Sequence, residues 1–106
     1  MAKYLYKVNY SVEGTKGLLK EGGSSRRDMV RKMTEGLGGS LETFYFASGN
    51  RDAYVIVDVP NAEGAEAVRL AVNASGGAHS SVEVLLTPEQ LDDAAKQTVS
   101  YRPPGG

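Results

Sequence analysis

From Lys3 to Ser11 polar and apolar residues alternate without a break: Tyr4, Tyr6, Val8 and Tyr10 fall on one face of an extended chain, and Lys3, Leu5, Lys7 and Asn9 on the other. This period predicts a strand. Thr15 to Glu21, with Leu18 and Leu19, reads as a short helical turn that Gly22-Gly23 breaks or loosens. A helical period follows. Ser25 has capping-box spacing to Asp28, and Met29, Val30, Met33 and Leu37 then form an apolar stripe. Arg26, Arg27, Arg31 and Lys32 lie off the stripe, where i,i+4 spacing offers Asp28 to Lys32 and Arg31 to Glu35; Gly36, Gly38 and Gly39 end the helix. Ser40 to Ser48 and Asp52 to Val59 read as two strands separated only by the turn formers of Gly49-Asn50-Arg51-Asp52, hence an antiparallel hairpin. Pro60-Asn61 caps a helix from Ala62 to about Ser75, with Ala65, Val68 and Val72 as its stripe and Gly76-Gly77 at its end. His79 to Leu86 is a fourth strand. Thr87-Pro88-Glu89-Gln90 is a strong helix start for a short helix carrying Leu91, Ala94 and Ala95. Beyond it, Tyr101 to Gly106 contains Pro103-Pro104 and runs extended.

The order βαββαβ with an added C-terminal helix predicts an α+β, ferredoxin-like fold with a four-stranded antiparallel sheet. Residues 1–98 form the domain and 99–106 an extended tail. The third strand is nearly continuous in apolar residues (Ala53, Tyr54, Val55, Ile56, Val57, Val59), so both faces of its sheet need cover. Helices supply one side, and the reading for the other is a second subunit. With 106 residues there is room for one core, and a domain of this size leaves about a third of its unfolded surface exposed.

Composition narrows the chemistry. The absence of cysteine excludes a thiolate nucleophile, a disulfide framework and a Cys-based zinc or iron–sulfur site, and a single histidine excludes a His-cluster metal site. No metal or cofactor is expected. The start of the chain runs into the first strand with no apolar leader, and no segment is long enough to span a membrane, so the expectation is a soluble cytoplasmic protein. Net charge is −1, yet residues 1–40 carry eight Lys or Arg against four acids and residues 41–106 carry four against nine. Either the basic half is a phosphate or nucleic-acid surface, or the halves complement each other within or between subunits. The interleaved acids and the lack of an RNP-type aromatic motif favour the second.

One strand, an arginine-bearing helix after Gly22-Gly23-Ser24-Ser25-Arg26-Arg27, a Gly-x-x-Asp turn and Tyr54-Val55-Ile56-Val57-Asp58-Val59-Pro60 together resemble the GYD domain family over almost the whole chain. Aligned on Gly49 and Asp52, the family's motif tyrosine is Arg51 here. The family is similar to the dimeric α/β-barrel superfamily, in which two ferredoxin-like sheets close face to face. That implies a homodimer or higher homo-oligomer and would cover the third strand. Distant relatives include cofactor-independent monooxygenases, haem-handling proteins and small-molecule lyases, so the resemblance implies fold more firmly than activity.

Four residues are catalytic candidates: His79, Tyr6, Tyr54 and Asp58. His79, the only imidazole, is the natural general base near neutral pH if it sits in a pocket, and otherwise a solvated strand-end histidine, which is the favoured reading. A haem-ligand role for it has no supporting motif. Tyr4, Tyr6, Tyr10, Tyr45 and Tyr54 either line a pocket or, as is commoner, pack as cross-strand neighbours. Asp58 inside an apolar strand is either a pocket acid or, as favoured, half of a salt bridge across the dimer to Lys7 or an arginine. Ser25, Arg26 and Arg27 at a helix start could hold a phosphate or carboxylate, against the commoner reading of a solvated loop contacting another subunit; the P-loop Gly-Lys-Ser/Thr is missing. The terminal Gly105-Gly106 has the form of a sulfur-carrier diglycine but follows the wrong element order. The functional expectation is thus a homo-oligomeric GYD module without established catalysis, with a cofactor-independent enzyme or binder of a small carbonyl or aromatic compound as the alternative. Phosphate or nucleic-acid binding through the basic first helix is a second alternative.

Overall fold

Strand alternation decides the two faces of the sheet. The structure is a computed structural model that describes residues 2–106. Its elements are β1 (Ala2–Tyr10), α1 (Val12–Glu21), α2 (Gly23–Gly36), β2 (Ser40–Phe46), β3 (Ala53–Val59), α3 (Ala62–Ala74), β4 (Ala78–Leu85) and α4 (Pro88–Ala95). The sheet is ordered β2-β3-β1-β4 with every neighbouring pair antiparallel, which is the ferredoxin-like arrangement. Register pairs Tyr4 with Val57, Tyr6 with Val55 and Val8 with Ala53, so all six point to the helix side, where they are buried with Val59 and Ala65. Each buried valine contributes roughly 2 kcal/mol. Among the described residues no helix is long and apolar enough to cross a membrane.

The first crossover differs from the sequence expectation. Ser11 leaves the strand to become the N-cap of α1, its side chain accepting from the Gly14 N–H at 3.1 Å, so this helix is longer than the Thr15 to Glu21 turn. Gly22, at φ 90, ends α1 and starts α2. Ser25 therefore lies inside α2, and the Ser25/Asp28 capping box does not form, because a positive-φ glycine has already turned the chain three residues earlier. The expected i,i+4 pairs are also replaced. Asp28 accepts from Arg31 at 2.9 Å and from Arg27 at 3.3 Å, which takes it from Lys32 and takes Arg31 from Glu35.

The second half follows its capping residues closely. Asn61 caps α3, and Thr87 with Gln90 makes a reciprocal capping box at α4. Asn73 ties α3 to β4: its Oδ1 accepts from the Ser80 N–H at 2.7 Å and hydroxyl at 3.0 Å, while its Nδ2 donates to the Ser80 carbonyl at 3.2 Å. Gly14 and Gly77 close the junction of α1 and β4, where a Cβ on Gly14 would stand 1.8 Å from the Gly77 carbonyl oxygen. From Pro88 to Gly106 every residue is exposed.

Candidate functional site

The helices do not cover the sheet evenly. α2 packs over β2 and α3 over β4, which leaves the central strands β1 and β3 under a gap. The residues facing that gap are small: Gly14 and Gly17 from α1, Ala71 from α3, Gly77 and Ala78 at the start of β4. Small side chains leave volume unfilled, and the result is a cleft of about 420 Å³, within the range of small-molecule sites. Its floor is Val8 and Val55, and its sides are Leu18, Met29, Met33, Phe44 and Val72. A smaller apolar void of about 60 Å³ adjoins it, sharing Val8, Met33, Val55 and Val72 and reaching Tyr6.

Polar groups enter this apolar cleft at one end. Tyr10, Glu21 and Arg26 line it together, with the Arg26 Nε donating to Glu21 Oε1 at 2.8 Å. That bond uses one of the five guanidinium donors, and among the described residues Arg26 has no other acceptor. Burial pushes the Tyr10 phenol upward; the Arg26 charge opposes this, and Asp52 and Glu21 add to it. Tyr10 also stacks at a tilt on Phe46, 6.5 Å between ring centroids, and Phe46 on Phe44 at 5.0 Å, so one wall is aromatic.

Asp52 anchors that end of the sheet. β3 begins at Ala53, so the Tyr10 N–H has no backbone partner on that side; the Asp52 carboxylate accepts from it at 2.8 Å instead. The Asp52 N–H donates to the Val8 carbonyl and its carbonyl accepts from the Ala47 N–H, each at 2.8 Å. Arg51, at the tyrosine position of the turn motif, donates to Asn9 Oδ1 at 3.1 Å, and Asn9 donates back to the Asn50 carbonyl at 2.8 Å. Arg51 therefore braces the turn against β1. Gly49 is exposed at its tip.

On the sheet's other face Leu5, Ile56, Tyr45 and Tyr54 stand among ion pairs. Lys3 meets Glu42 at 3.0 Å and Asp58 at 3.6 Å, and Lys7 meets Glu83 at 2.6 Å. The hydrogen bond that Lys3 donates to Glu42, reinforced by both carboxylate charges, raises the Lys3 ammonium above its ordinary pKa. Asp58 Oδ1 is buried and has no hydrogen-bond partner among the described residues.

The sequence candidates do not converge. Tyr6 points to the helix side, where burial pushes its phenol up to about 12 and its hydroxyl donates to the Ala65 carbonyl at 2.5 Å. His79 pairs with Asn9 on the opposite face and is exposed. Tyr54 and Asp58 share that face, but on β3, with β1 between them and His79. Asp58 has Lys3 of its own chain as its near cation. Of the anion-loop residues, Arg26 is paired to Glu21 and Arg27 to Asp28, and Ser25 stays exposed on α2, in a surface depression with Asp28, Met29 and Lys32. Among the described residues no three His, Asp or Glu side chains gather as metal ligands would. Sequence reasoning missed the cleft's glycine and alanine wall; the available signal was that small residues on α1, on α3 and after Gly76 all face β1 and β3.

A family model described as GYD domain matches residues 4–95. No curated protein and no solved structure matches the chain.

Proposed function

The chain belongs to the GYD domain family, and on that footing we propose that it is a homodimeric binding module for a small aromatic or carbonyl compound. The observation that carries this reading is the cleft of about 420 Å³ over β1 and β3, apolar on its floor and most of its sides, with Ser75 on the α3 side and the polar side chains of Tyr10, Glu21 and Arg26 together. An aromatic ring suits the Phe44 side. A carbonyl or carboxylate oxygen suits the unused Arg26 donors and the Tyr10 hydroxyl. Binding is favoured over acid–base catalysis because Tyr6 and Tyr10, two of the helix-side phenols, are both pushed toward the protonated form, Tyr6 donating to the Ala65 carbonyl, while the one imidazole is on the other face.

The dimer half of the proposal rests on the open sheet face. Leu5, Ile56, Tyr45 and Tyr54 lie there among charges that are mostly neutralised in pairs, and the orphaned Asp58 Oδ1 needs a donor that no described residue of its own chain provides. A second sheet packed on this face supplies both cover and donor.

Methionine methyl spectra test the ligand half directly. Two of the chain's three methionines, Met29 and Met33, line the cleft. Titrating benzoate or acetophenone is expected to move the Met29 and Met33 methyls saturably. Arg26→Gln should weaken benzoate about tenfold, the loss of one charge-assisted hydrogen bond. Unmoved Met29 and Met33 signals at millimolar probe would remove the reading. For the dimer, sedimentation at micromolar concentration should return twice the chain mass; a monomer alone rejects it.

A further inference from the structure

The C-terminal arm, Leu86 to Gly106, has no seat on its own domain. Every residue from Pro88 onward is exposed, and Leu86, Leu91, Val99 and Tyr101 present 59%, 61%, 78% and 73% of their surface to solvent. Yet the arm is not unstructured chain. A full capping box, with Pro88 opening the first turn, builds the eight-residue helix α4, a length that is marginal in water without packing. A helix so well started, with its apolar edge of Leu91, Ala94 and Ala95 uncovered, requires a surface elsewhere.

We propose that this arm docks on a second copy of the chain, clasping the partner across the dimer described above, a reading on which this inference rests. Area is the first argument. Four strands about 4.8 Å apart and about seven residues long give the open sheet face a footprint of roughly 450 Å². A stable interface needs about 800 Å² per partner. A projected footprint is smaller than the accessible surface it carries, so the seam alone stands close to that size, and the exposed arm enlarges it. Charge is the second argument. α4 carries Glu89, Asp92 and Asp93, none with a cationic partner among the described residues, while Lys20 on α1 and Lys32 on α2 have no acidic partner there. Within one copy those charges stay unmatched; the arm of one copy laid along the α1–α2 layer of the other matches them. The acidic second half and basic first half of the sequence, already paired within one copy through Lys3 and Lys7, thus complement each other between subunits as well.

The natural absence of cysteine makes the test specific, since a single Lys96→Cys substitution carries a spin label at the end of α4. Spin-labelled copies are mixed with isotope-labelled, unsubstituted copies. Docking is expected to broaden the Lys20 and Lys32 amide signals of the isotope-labelled copy. In parallel, the full chain carrying Leu86→Asp and Leu91→Asp should dimerise roughly tenfold more weakly or worse, with unchanged circular dichroism of the domain because both residues are exposed. A dimer of unchanged affinity in this variant, with no broadening between copies, overturns the arm and leaves the sheet seam standing. Broadening confined to copies carrying both labels, diluted into unlabelled protein, shows the arm folding home and also overturns it. A wild-type chain that is monomeric throughout takes away the dimer itself, and Ile56→Lys, which disturbs only the seam, separates that failure from the arm's.

Discussion

Replacing Asp52 by alanine removes the group that completes the β1–β3 ladder where β3 has turned away. The two backbone bonds of Asp52, to Val8 and from Ala47, survive the change, but the carboxylate bond from the Tyr10 N–H at 2.8 Å is lost. A hydrogen bond to a charged acceptor is worth about 1.5–3 kcal/mol, and a half-buried N–H recovers only part of that from water. The expected loss is about 2 kcal/mol for Asp52→Ala and about 1 kcal/mol for Asp52→Asn, which keeps a neutral carbonyl acceptor. At an unfolding entropy of about 2.1 cal/mol/K per residue, a chain of 106 residues converts these into Tm decreases of about 9 °C and about 4 °C. Calorimetry at fixed protomer concentration measures both, since self-association makes Tm concentration-dependent. A urea titration with unchanged slope confirms that the same two states are compared. An Asp52→Ala protein melting within about 2 °C of its parent, or an Asn variant as damaged as the Ala variant, would show that the carboxylate is not what holds the turn to β1.

Two further outcomes are expected. Asn73→Ala leaves the Ser80 N–H and hydroxyl without acceptors at a position 1% exposed, so the urea midpoint should fall by the equivalent of about 3 kcal/mol; a loss under about 1 kcal/mol would mean that water replaces the amide. Tyr6 gives an alkaline limit: its folded pKa of about 12 stands above the unfolded value of 10.0, so its contribution is complete below pH 10 and disappears as the pH rises through 12. Stability should therefore decline across that window by on the order of 2 to 3 kcal/mol, and Tyr6→Phe should flatten the decline while costing about 1 kcal/mol at neutral pH. Equal alkaline slopes for parent and variant would exclude Tyr6 as the cause.

Most of the element order was legible because it rests on local signals. The alternation of β1, the turn formers between β2 and β3, and the caps at Asn61 and Thr87 each act within a few residues. The α1–α2 junction was not legible for a related reason. Two competing starts, Ser11 and Ser25, stand on either side of Gly22, and only the positive φ of Gly22 decides between them. Asp58 could be read as needing a cation but not which one, since Lys3 faces it through strand register rather than sequence spacing. The cleft was hidden in the sequence for a different reason. It consists of what Gly14, Gly17, Ala71 and Gly77 do not fill, and absent volume appears only when four elements are brought together. Arg26 stands out in the sequence for its charge, and the structure adds the apolar chamber that it faces.

The sheet order has a consequence for the chain while it is being made. β1 is central, held between β3 and β4, but it is synthesised about fifty residues before β3 is complete and earlier still relative to β4. At about 5–20 residues per second the strand waits roughly 2 to 10 s on the ribosome with both hydrogen-bonding edges open. A strand with three tyrosines, a leucine and a valine in that condition is a template for any neighbouring nascent copy. Lys3 and Lys7, neutralised by Glu42, Asp58 and Glu83 only after folding, are bare charges during the wait. Their value to the organism is therefore expected to appear in the yield of correctly folded chain rather than in the melting temperature of chain that has already folded.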